Sequence, residues 1–173
     1  MAAPFVSILM GSDSDLPVME KTCQILKKFD IPYEVRIYSA HRTPEDTKQF
    51  VVDAEDRGCA VFIAGAGLSA ALPGVVAAYT TRPVIGVPID TGPLQGVDAL
   101  LSMVQMPPGI PVATVAIGSV GARNAGYLAA QMLGMIDESF AAKIKQERLD
   151  NAQVIRDKNE GLSILAEHFA YES

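Results

Sequence analysis

Short apolar runs alternate with helix-like segments along most of this chain, and that alternation constrains the fold more than any other feature. The runs are rich in Val and Ile, and they lie at residues 5–10, 33–39, 60–64, 84–87 and 113–117. Strands that are apolar on both faces are typical of parallel sheets covered by helices on each side. The sequence therefore predicts a three-layer α/β sandwich around a flavodoxin-like or Rossmann-like parallel sheet.

The segments between these runs carry residues that are typical of helix ends. Asp15 and Thr43 are suitable N-cap residues. Pro17 and Pro44 fit a first helical turn, and Gly58 fits the position just past a helix. The predicted helices span residues 16–29, 44–57, 68–80, 97–105 and 122–136. With right-handed crossovers between parallel strands, these helices should cover the sheet.

The segment from about Glu138 to Glu172 differs from the rest because it is charged, amphipathic and nearly free of Pro and Gly. We expect a C-terminal helical tail there. The predicted organisation is one α/β domain over residues 1–137, which carries the candidate site described below, and a helical extension over 138–173. The extension either belongs to the same domain or packs on a neighbouring subunit, and its His168 is expected to have a surface or packing role.

Composition excludes several classes of protein. The formal net charge of -6 argues against a nucleic-acid-binding surface, which would need a basic patch. No run of about 20 apolar residues is free of Gly, Pro and charge, so we expect no membrane span. The first residues lack a basic segment followed by a long apolar one, and Cys23 and Cys59 are too few for a disulfide framework. These features predict a cytoplasmic protein.

In an open parallel sheet, ligands bind at the carboxyl ends of the strands, and three loops of this chain meet that condition. The first contains Gly11, Ser12 and Asp15. Gly11 permits close approach of the backbone, and a helix start with Ser12 favours a phosphate. Asp15 could accept hydrogen bonds from sugar hydroxyls, although helix capping alone would also explain these residue types.

The second loop, residues 39–44, reads Ser-Ala-His-Arg-Thr-Pro. Arg42 can bind an anion in a bidentate manner, and His41 can carry a proton near neutral pH. The pair predicts a site that holds a phosphorylated small molecule and moves a proton on it. The alternative, a solvated turn that caps the second helix, does not require all three of Ser39, His41 and Arg42.

The third loop includes Ala64, Gly65, Ala66 and Gly67, and superficially matches a dinucleotide-binding fingerprint. The fingerprint normally follows the first strand, whereas this loop follows the third. Small residues with exposed backbone amides fit a dry pocket for a flat ring and a small neutral gas, and tight helix–sheet packing is the other explanation. Two distant histidines and two separate cysteines predict no metal site, and no Gly-x-Ser-x-Gly elbow is present.

Together these loops resemble the 5-(carboxyamino)imidazole ribonucleotide mutase family of purine biosynthesis, also called the catalytic subunit of phosphoribosylaminoimidazole carboxylase. The resemblance covers about residues 5–137. Its specific segments are MGSDSD (10–15), SAHRTP (39–44), AGAG (64–67), LPGVVAAYT (72–80), PVIGVP (83–88), GVDALLSMVQMPPGIPVATVAIG (96–118) and NAGYLAAQML (124–133).

The resemblance implies a homo-octamer of flavodoxin-like subunits with active sites at subunit contacts and no metal or organic cofactor. It implies that Ser12, Asp15 and Arg42 bind the ribonucleotide and that His41 carries the proton. The residues implied nearby are Gly11, Ser39, Ala64, Gly65, Ala66, Gly67 and Leu72. The implied reaction moves a carboxylate from the exocyclic nitrogen to carbon 4 of the imidazole, by way of CO2 and aminoimidazole ribonucleotide.

One segment departs from the family pattern. Typical bacterial mutases read Gly-Ala-Ala-His-Leu-Pro-Gly where this chain reads Leu68-Ser-Ala-Ala71-Leu-Pro-Gly74. The family's second histidine therefore falls at Ala71. The segment partly resembles that of relatives which carboxylate aminoimidazole ribonucleotide directly with CO2, and this lyase reaction is the alternative function. A non-catalytic module that binds flavin or another nucleotide is a further alternative, although no loop supplies obvious aromatic residues to enclose a flavin.

Overall fold

A five-stranded parallel sheet forms the centre of the computed structural model, which describes residues 4–167 and their side chains as far as residue 162. The strands are β1 (Phe5–Met10), β2 (Tyr33–Ile37), β3 (Cys59–Ala66), β4 (Val84–Pro88) and β5 (Ala113–Thr114). Their order in the sheet is β2-β1-β3-β4-β5, and each neighbouring pair is parallel. The order reverses direction between β1 and β3, so the crevice at their carboxyl ends is where such a sheet binds ligands.

Helices cover both faces of the sheet and confirm the predicted three-layer α/β fold. They are α1 (Leu16–Lys28), α2 (Pro44–Asp56), α3 (Leu72–Ala78), α4 (Val97–Val104), α5 (Gly118–Gly134) and α6 (Glu138–Glu167), with a 3-10 turn at Asp13–Asp15. One apolar core lies between the sheet and α1, α5 and the start of α6. A second core lies between the sheet and α2, α3 and α4. The three central strands β1, β3 and β4 are thereby buried, whereas the edge strand β2 stays partly exposed.

Two predicted helix starts are wrong, for local reasons. The helix predicted from residue 68 begins only at Leu72, because Leu68 has a left-handed backbone with φ of 54° and Pro73 suits the first turn of α3. The helix predicted from residue 122 begins at Gly118. Its first turn contains glycines with weak helix propensity, and Gly121 lies tightly against the carbonyl oxygen of Ala116, where no side chain would fit.

The last predicted strand, 113–117, is reduced to two residues. β5 is an edge strand, and its two residues pair with Ile85 and Gly86 of β4. β3 is longer than predicted and runs through Ala66, so its final residues bring the third loop directly to the crevice beside β1.

The first turns of the tail helix pack on the sheet domain. Phe140 and Ile144 are buried in the core beside α1 and α5. Farther along α6, Leu149, Val154 and Leu162 are each at least half exposed. The division of the chain at residue 137 stays a prediction, and the tail residues His168 and Phe169 lie outside the described residues. No helix in the described part of the chain is long and apolar enough to cross a membrane.

Candidate active site

The three loops that the sequence singled out meet in one cavity of about 550 Å³ at the carboxyl ends of the strands. We call it the crevice pocket. Of the residues predicted to form the site, those lining the pocket are Gly11, Ser12, Asp15, Ser39, His41, Arg42, Ala66, Gly67 and Leu72. The strand order explains this meeting, since β2, β1 and β3 are adjacent and end at the same edge.

Two predicted site residues do not line the crevice pocket. Ala64 is fully buried in the core on the α2 and α3 side of the sheet. Gly65 accepts a hydrogen bond at its carbonyl from the N–H of Gly11, at 3.2 Å, and a side chain there would collide with the sulfur of Met19. Gly65 therefore joins β3 to the first loop, and Ala64 belongs to the core beside them.

Asp15 is a buried carboxylate at the end of the first loop. The Ser12 N–H donates to Asp15 Oδ2 at 3.2 Å, and Ser12 Oγ accepts from the Ser14 N–H at 3.3 Å. These reciprocal bonds form a capping box on the 3-10 turn. Burial raises the pKa of Asp15 and outweighs the hydrogen bonds that lower it. Asp15 stands at the predicted N-cap position of α1 but makes no side-chain capping bond there.

The second loop is closed by its own hydroxyl groups. Thr43 Oγ1 accepts from the Ser39 N–H at 3.0 Å and donates to the Ser39 carbonyl at 3.2 Å. Ser39 Oγ accepts from the backbone N–H of Arg42 at 3.2 Å and from its Nε at 3.4 Å. Thr43 was predicted to cap α2, and it makes no capping bond to that helix. The turn is thereby held in a shape that presents His41 and Arg42 together at the pocket.

His41 and Arg42 are exposed, consecutive residues at the mouth of the pocket. Among the residues with described side chains, no carboxylate forms an ion pair with Arg42. The terminal nitrogens of its guanidinium group are therefore available to an anionic ligand, while Nε is directed to Ser39.

The floor of the crevice pocket is apolar. Ala66 and Leu72 line it and are 7% and 2% exposed, and Gly67 and Ala71 add little bulk. Thr91, in the loop after β4, also lines the pocket, with its Oγ1 against Gly67. The pocket thus combines a polar rim with a floor that has few hydrogen-bonding groups.

Six lining residues were not among the predicted site residues, namely Ser14, Ala40, Leu68, Ser69, Ala71 and Thr91. Four of them lie inside the three loops already chosen. Thr91 could have been found by the same rule, since it follows the carboxyl end of the next strand, β4. The left-handed backbone of Leu68 could not have been predicted, because leucine gives no sign of that conformation.

A larger cavity of about 940 Å³ lies at the amino ends of β4 and β5. Its charged residues are already paired, since Arg82 Nε lies 3.4 Å from Glu55 Oε1 and Thr80 donates to Glu55 Oε2 at 2.5 Å. It also lies at the opposite edge of the sheet from the switch between β1 and β3. The crevice pocket is therefore the better candidate for a reaction site. In the part of the chain that the structure describes, no group of three or more His, Cys, Asp or Glu could hold a metal ion.

Comparison with known protein families finds a match over most of the chain. The model of the family described as AIR carboxylase matches residues 5–154. This chain belongs to the AIR carboxylase family. The match spans all three loops of the crevice pocket and extends into α6.

Relatives within the family cover nearly the whole chain. The N5-carboxyaminoimidazole ribonucleotide mutase of Bacillus subtilis is 49% identical over 159 residues, which are 92% of this chain and 98% of that protein. The mutase of Mycobacterium tuberculosis is 54% identical over 165 residues, 94% of this chain and 92% of its own. A crystal structure of Treponema denticola PurE superposes with a TM-score of 0.84 at 36% identity, covering 92% of this chain and 99% of that one.

A protein named for a different activity is also similar. The phosphoribosylaminoimidazole carboxylase of Saccharomyces cerevisiae is 53% identical over 146 residues, which are 84% of this chain but 25% of that protein. This chain therefore corresponds to one part of the longer yeast protein.

Proposed function

We propose that this protein is an N5-carboxyaminoimidazole ribonucleotide mutase of purine biosynthesis. The observation that carries the proposal is the placement of His41 and Arg42 on one closed turn, above an apolar floor. The mutase relatives named above support the reaction class, because they match this chain over almost their full lengths. The substrate is 5-(carboxyamino)imidazole ribonucleotide, and its carboxylate moves from the exocyclic nitrogen to carbon 4 of the ring.

The polar rim binds the ribonucleotide. Arg42 binds the 5'-phosphate with its free guanidinium nitrogens, and a hydrogen bond to a charged group contributes about 1.5–3 kcal/mol. Ser12 Oγ, which donates to exposed Asp13 at 3.0 Å, turns to the phosphate when the ligand is bound. Asp15 accepts hydrogen bonds from the ribose hydroxyls. Gly11 and Ser39 allow the ligand to approach the two loops closely.

His41 donates one proton during the reaction and later removes another. As the N–C bond of the carbamate breaks, its electron pair returns to the exocyclic nitrogen, and the imidazolium of His41 protonates that nitrogen. Carbon 4 of the ring then forms a bond to the carbon of CO2. The neutral imidazole removes the proton from carbon 4, which restores the ring and the imidazolium. No proton is gained or lost overall, so a single side chain suffices.

The apolar floor favours the first and second of these steps. A carbamate loses its negative charge when it releases CO2, so a pocket with few partners for an anion favours that loss. Holding CO2 beside the ring makes the recombination effectively unimolecular. Ala66, Gly67 and Leu72 form the surface against which ring and gas lie.

Direct carboxylation of aminoimidazole ribonucleotide is the second candidate. It is favoured by Ala71, which replaces the second histidine of typical mutases, and by the similarity to the yeast carboxylase. The two reactions are separated by supplying purified protein with either the carbamate substrate alone or aminoimidazole ribonucleotide with bicarbonate. Product from the carbamate without bicarbonate supports the mutase. Efficient carboxylation at low bicarbonate, with no turnover of the carbamate, would reject it. A flavin-binding role is disfavoured, since no Phe or Tyr lines the pocket among the described residues.

Assembly and location complete the proposal. We place the protein in the cytoplasm as a homo-octamer with active sites at subunit contacts. The half-exposed apolar residues of α6, among them Leu149 and Ile155, support an assembled state because they are available for a neighbouring subunit. Both Cys23 and Cys59 are free thiols, as expected in a reducing compartment. Sedimentation equilibrium of the full chain tests the octamer.

A further inference from the structure

Ser69 is a pocket residue whose hydroxyl has no hydrogen-bond partner in the described part of the chain. It lines the crevice pocket and is exposed. The serine hydroxyls of the first two loops differ, since Ser12 donates to Asp13 and Ser39 accepts from Arg42. A hydroxyl that is ready to bind a ligand therefore lies on the side of the pocket that the third loop forms.

The segment that carries Ser69 is held in place on both sides. Leu68 packs against Gly92 of the loop after β4, and the N–H of Ala71 donates to the Ser69 carbonyl at 2.8 Å. Ala70 is buried in the core. Because these neighbours are fixed, the backbone of Ser69 is in position before a ligand binds, and only the hydroxyl has to turn.

Ser69 is also the one side-chain hydrogen-bond donor of its wall, among the described residues that line the pocket between positions 66 and 72. The other lining residues of this stretch are Ala66, Gly67, Leu68, Ala71 and Leu72. The titratable residues that line the pocket, Asp15, His41 and Arg42, belong to the first and second loops. This wall thus offers a ligand one neutral side-chain donor.

The strand order places Ser69 across the pocket from His41. β1 lies between β2, which precedes the His41 loop, and β3, which precedes Ser69. Two strand spacings amount to about 10 Å, which leaves room for a flat ring between the two walls. A ring held beside His41 therefore has its far edge directed to Ser69.

We infer that Ser69 is a specificity-determining residue that donates a hydrogen bond to the carboxylate of the bound ribonucleotide. The inference rests on the proposed function and concerns this chain, whose segment 68–72 departs from the pattern of typical mutases. A carboxylate above an apolar floor needs a donor, because burying an unpaired charge is costly. One neutral hydroxyl meets this need without an ion pair, so the carbamate can still lose its charge as CO2 leaves.

Ligand binding tests the inference, because the product ribonucleotide carries the carboxylate and aminoimidazole ribonucleotide does not. Calorimetric titration of the full chain with each compound measures the preference for the carboxylated ligand. In Ser69→Ala, the Kd for the product should rise about 10-fold, while the Kd for aminoimidazole ribonucleotide stays unchanged. A merely structural role of Ser69 would weaken the binding of both compounds alike.

Two further variants serve as controls. Ser69→Thr keeps a hydroxyl at the same position and should retain wild-type affinity for both compounds. Ser102→Ala removes an exposed hydroxyl outside the pocket, where it donates to the Asp98 carbonyl at 2.8 Å, and should change neither affinity. An unchanged product Kd in Ser69→Ala, or an equal rise for both compounds, would overturn the inference and leave the proposed function intact. Failure of the wild type to bind either ribonucleotide would reject both.

Discussion

The hydroxyl of Thr91 occupies the space in which a side chain on Gly67 would begin. A Cβ built on Gly67 would overlap Thr91 Oγ1 and lie 3.4 Å from Thr91 Cβ. Gly67 follows β3 and Thr91 follows β4, so the contact joins two loops that enter the crevice pocket from neighbouring strands. The missing side chain at position 67 is therefore a packing requirement of the pocket wall.

Gly67→Ala should damage the pocket for this reason. The new methyl group forces Thr91 or the loop after β3 to move, and overpacking of this kind costs about 1–3 kcal/mol. Urea unfolding measures the loss, and ribonucleotide binding should weaken with it. The double variant Gly67→Ala with Thr91→Ala should recover most of the stability. Gly161→Ala, where nothing lies within 4 Å of the added methyl, is the control. Equal losses in the single and double variants would show that the contact is not the cause.

His41→Asn should abolish turnover while substrate binding is largely kept. Loss of a general acid–base group typically lowers the rate by about 10²–10⁴-fold. The side chain is exposed, so the free energy of unfolding should change by no more than about 0.5 kcal/mol. Steady-state kinetics and calorimetric titration with the ribonucleotide check the two parts. Wild-type kcat in the variant would exclude His41 as the proton carrier.

Arg42→Lys should weaken ribonucleotide binding although the charge is kept. A lysine cannot present two parallel N–H groups to a phosphate or keep the bond from Nε to Ser39 Oγ. Losing one charged hydrogen bond corresponds to about a 10- to 100-fold increase in Kd. Arg123→Lys, at an exposed position outside the pocket, serves as the control in the same titration. A Kd unchanged by Arg42→Lys would place the phosphate elsewhere.

Asp15→Asn should stabilise the fold near neutral pH and impair binding. Because burial raises the pKa of Asp15, the folded protein disfavours its ionised form. The stability contributed by this group is present below the unfolded pKa of about 3.9 and is lost as pH rises through the folded pKa. The variant's advantage in free energy of unfolding should thus be smaller near pH 4 than near pH 7. Urea unfolding at both values checks the sign, and a constant difference would contradict it.

The contact between α5 and the tail helix predicts a titration that absorbance can follow. Burial, the hydrogen bond donated to Glu147 at 2.5 Å and the charge of that carboxylate raise the pKa of Tyr127 to about 12. Glu147 is buried and also pairs with Lys28. Glu147→Gln removes the charge, so one phenol should titrate at lower pH, nearer the usual value of about 10. Tyr127→Phe assigns the signal, and a profile that Glu147→Gln leaves unaltered would contradict the assignment.

Much of the site could be predicted from the sequence because its residues cluster in short segments. The run 39–44 places His41 and Arg42 on one turn, and the residue types of the run before it, at 33–39, predict a strand. Loops that follow parallel strands share one edge of the sheet by geometry alone. The meeting of the first three loops therefore required no knowledge of packing.

The hydrogen bonds of Asp15 and Thr43 could not be predicted from local sequence patterns. Both residues were predicted to cap helices, and both instead bond within their own loops. The same residue types, such as Asp and Thr, can cap a helix or close a loop. Which role they take depends on the path of the loop in the folded protein. The same limit applies to Ala64 and Gly65, whose proximity in sequence to the pocket says nothing of which side of the wall they occupy.

The sequence by itself determined the alternating α/β architecture, the edge of the sheet at which the candidate site lies and the placement of His41 and Arg42 on one turn, because each depends on spacing within a few residues. Only the tertiary structure decided which side chains enclose the pocket. Leu68 packs against Gly92, and Thr91 packs against Gly67, so two loops more than twenty residues apart are in contact. These contacts exist because β3 and β4 lie side by side. Contacts of that kind arise from strand order and close packing, which no local pattern encodes.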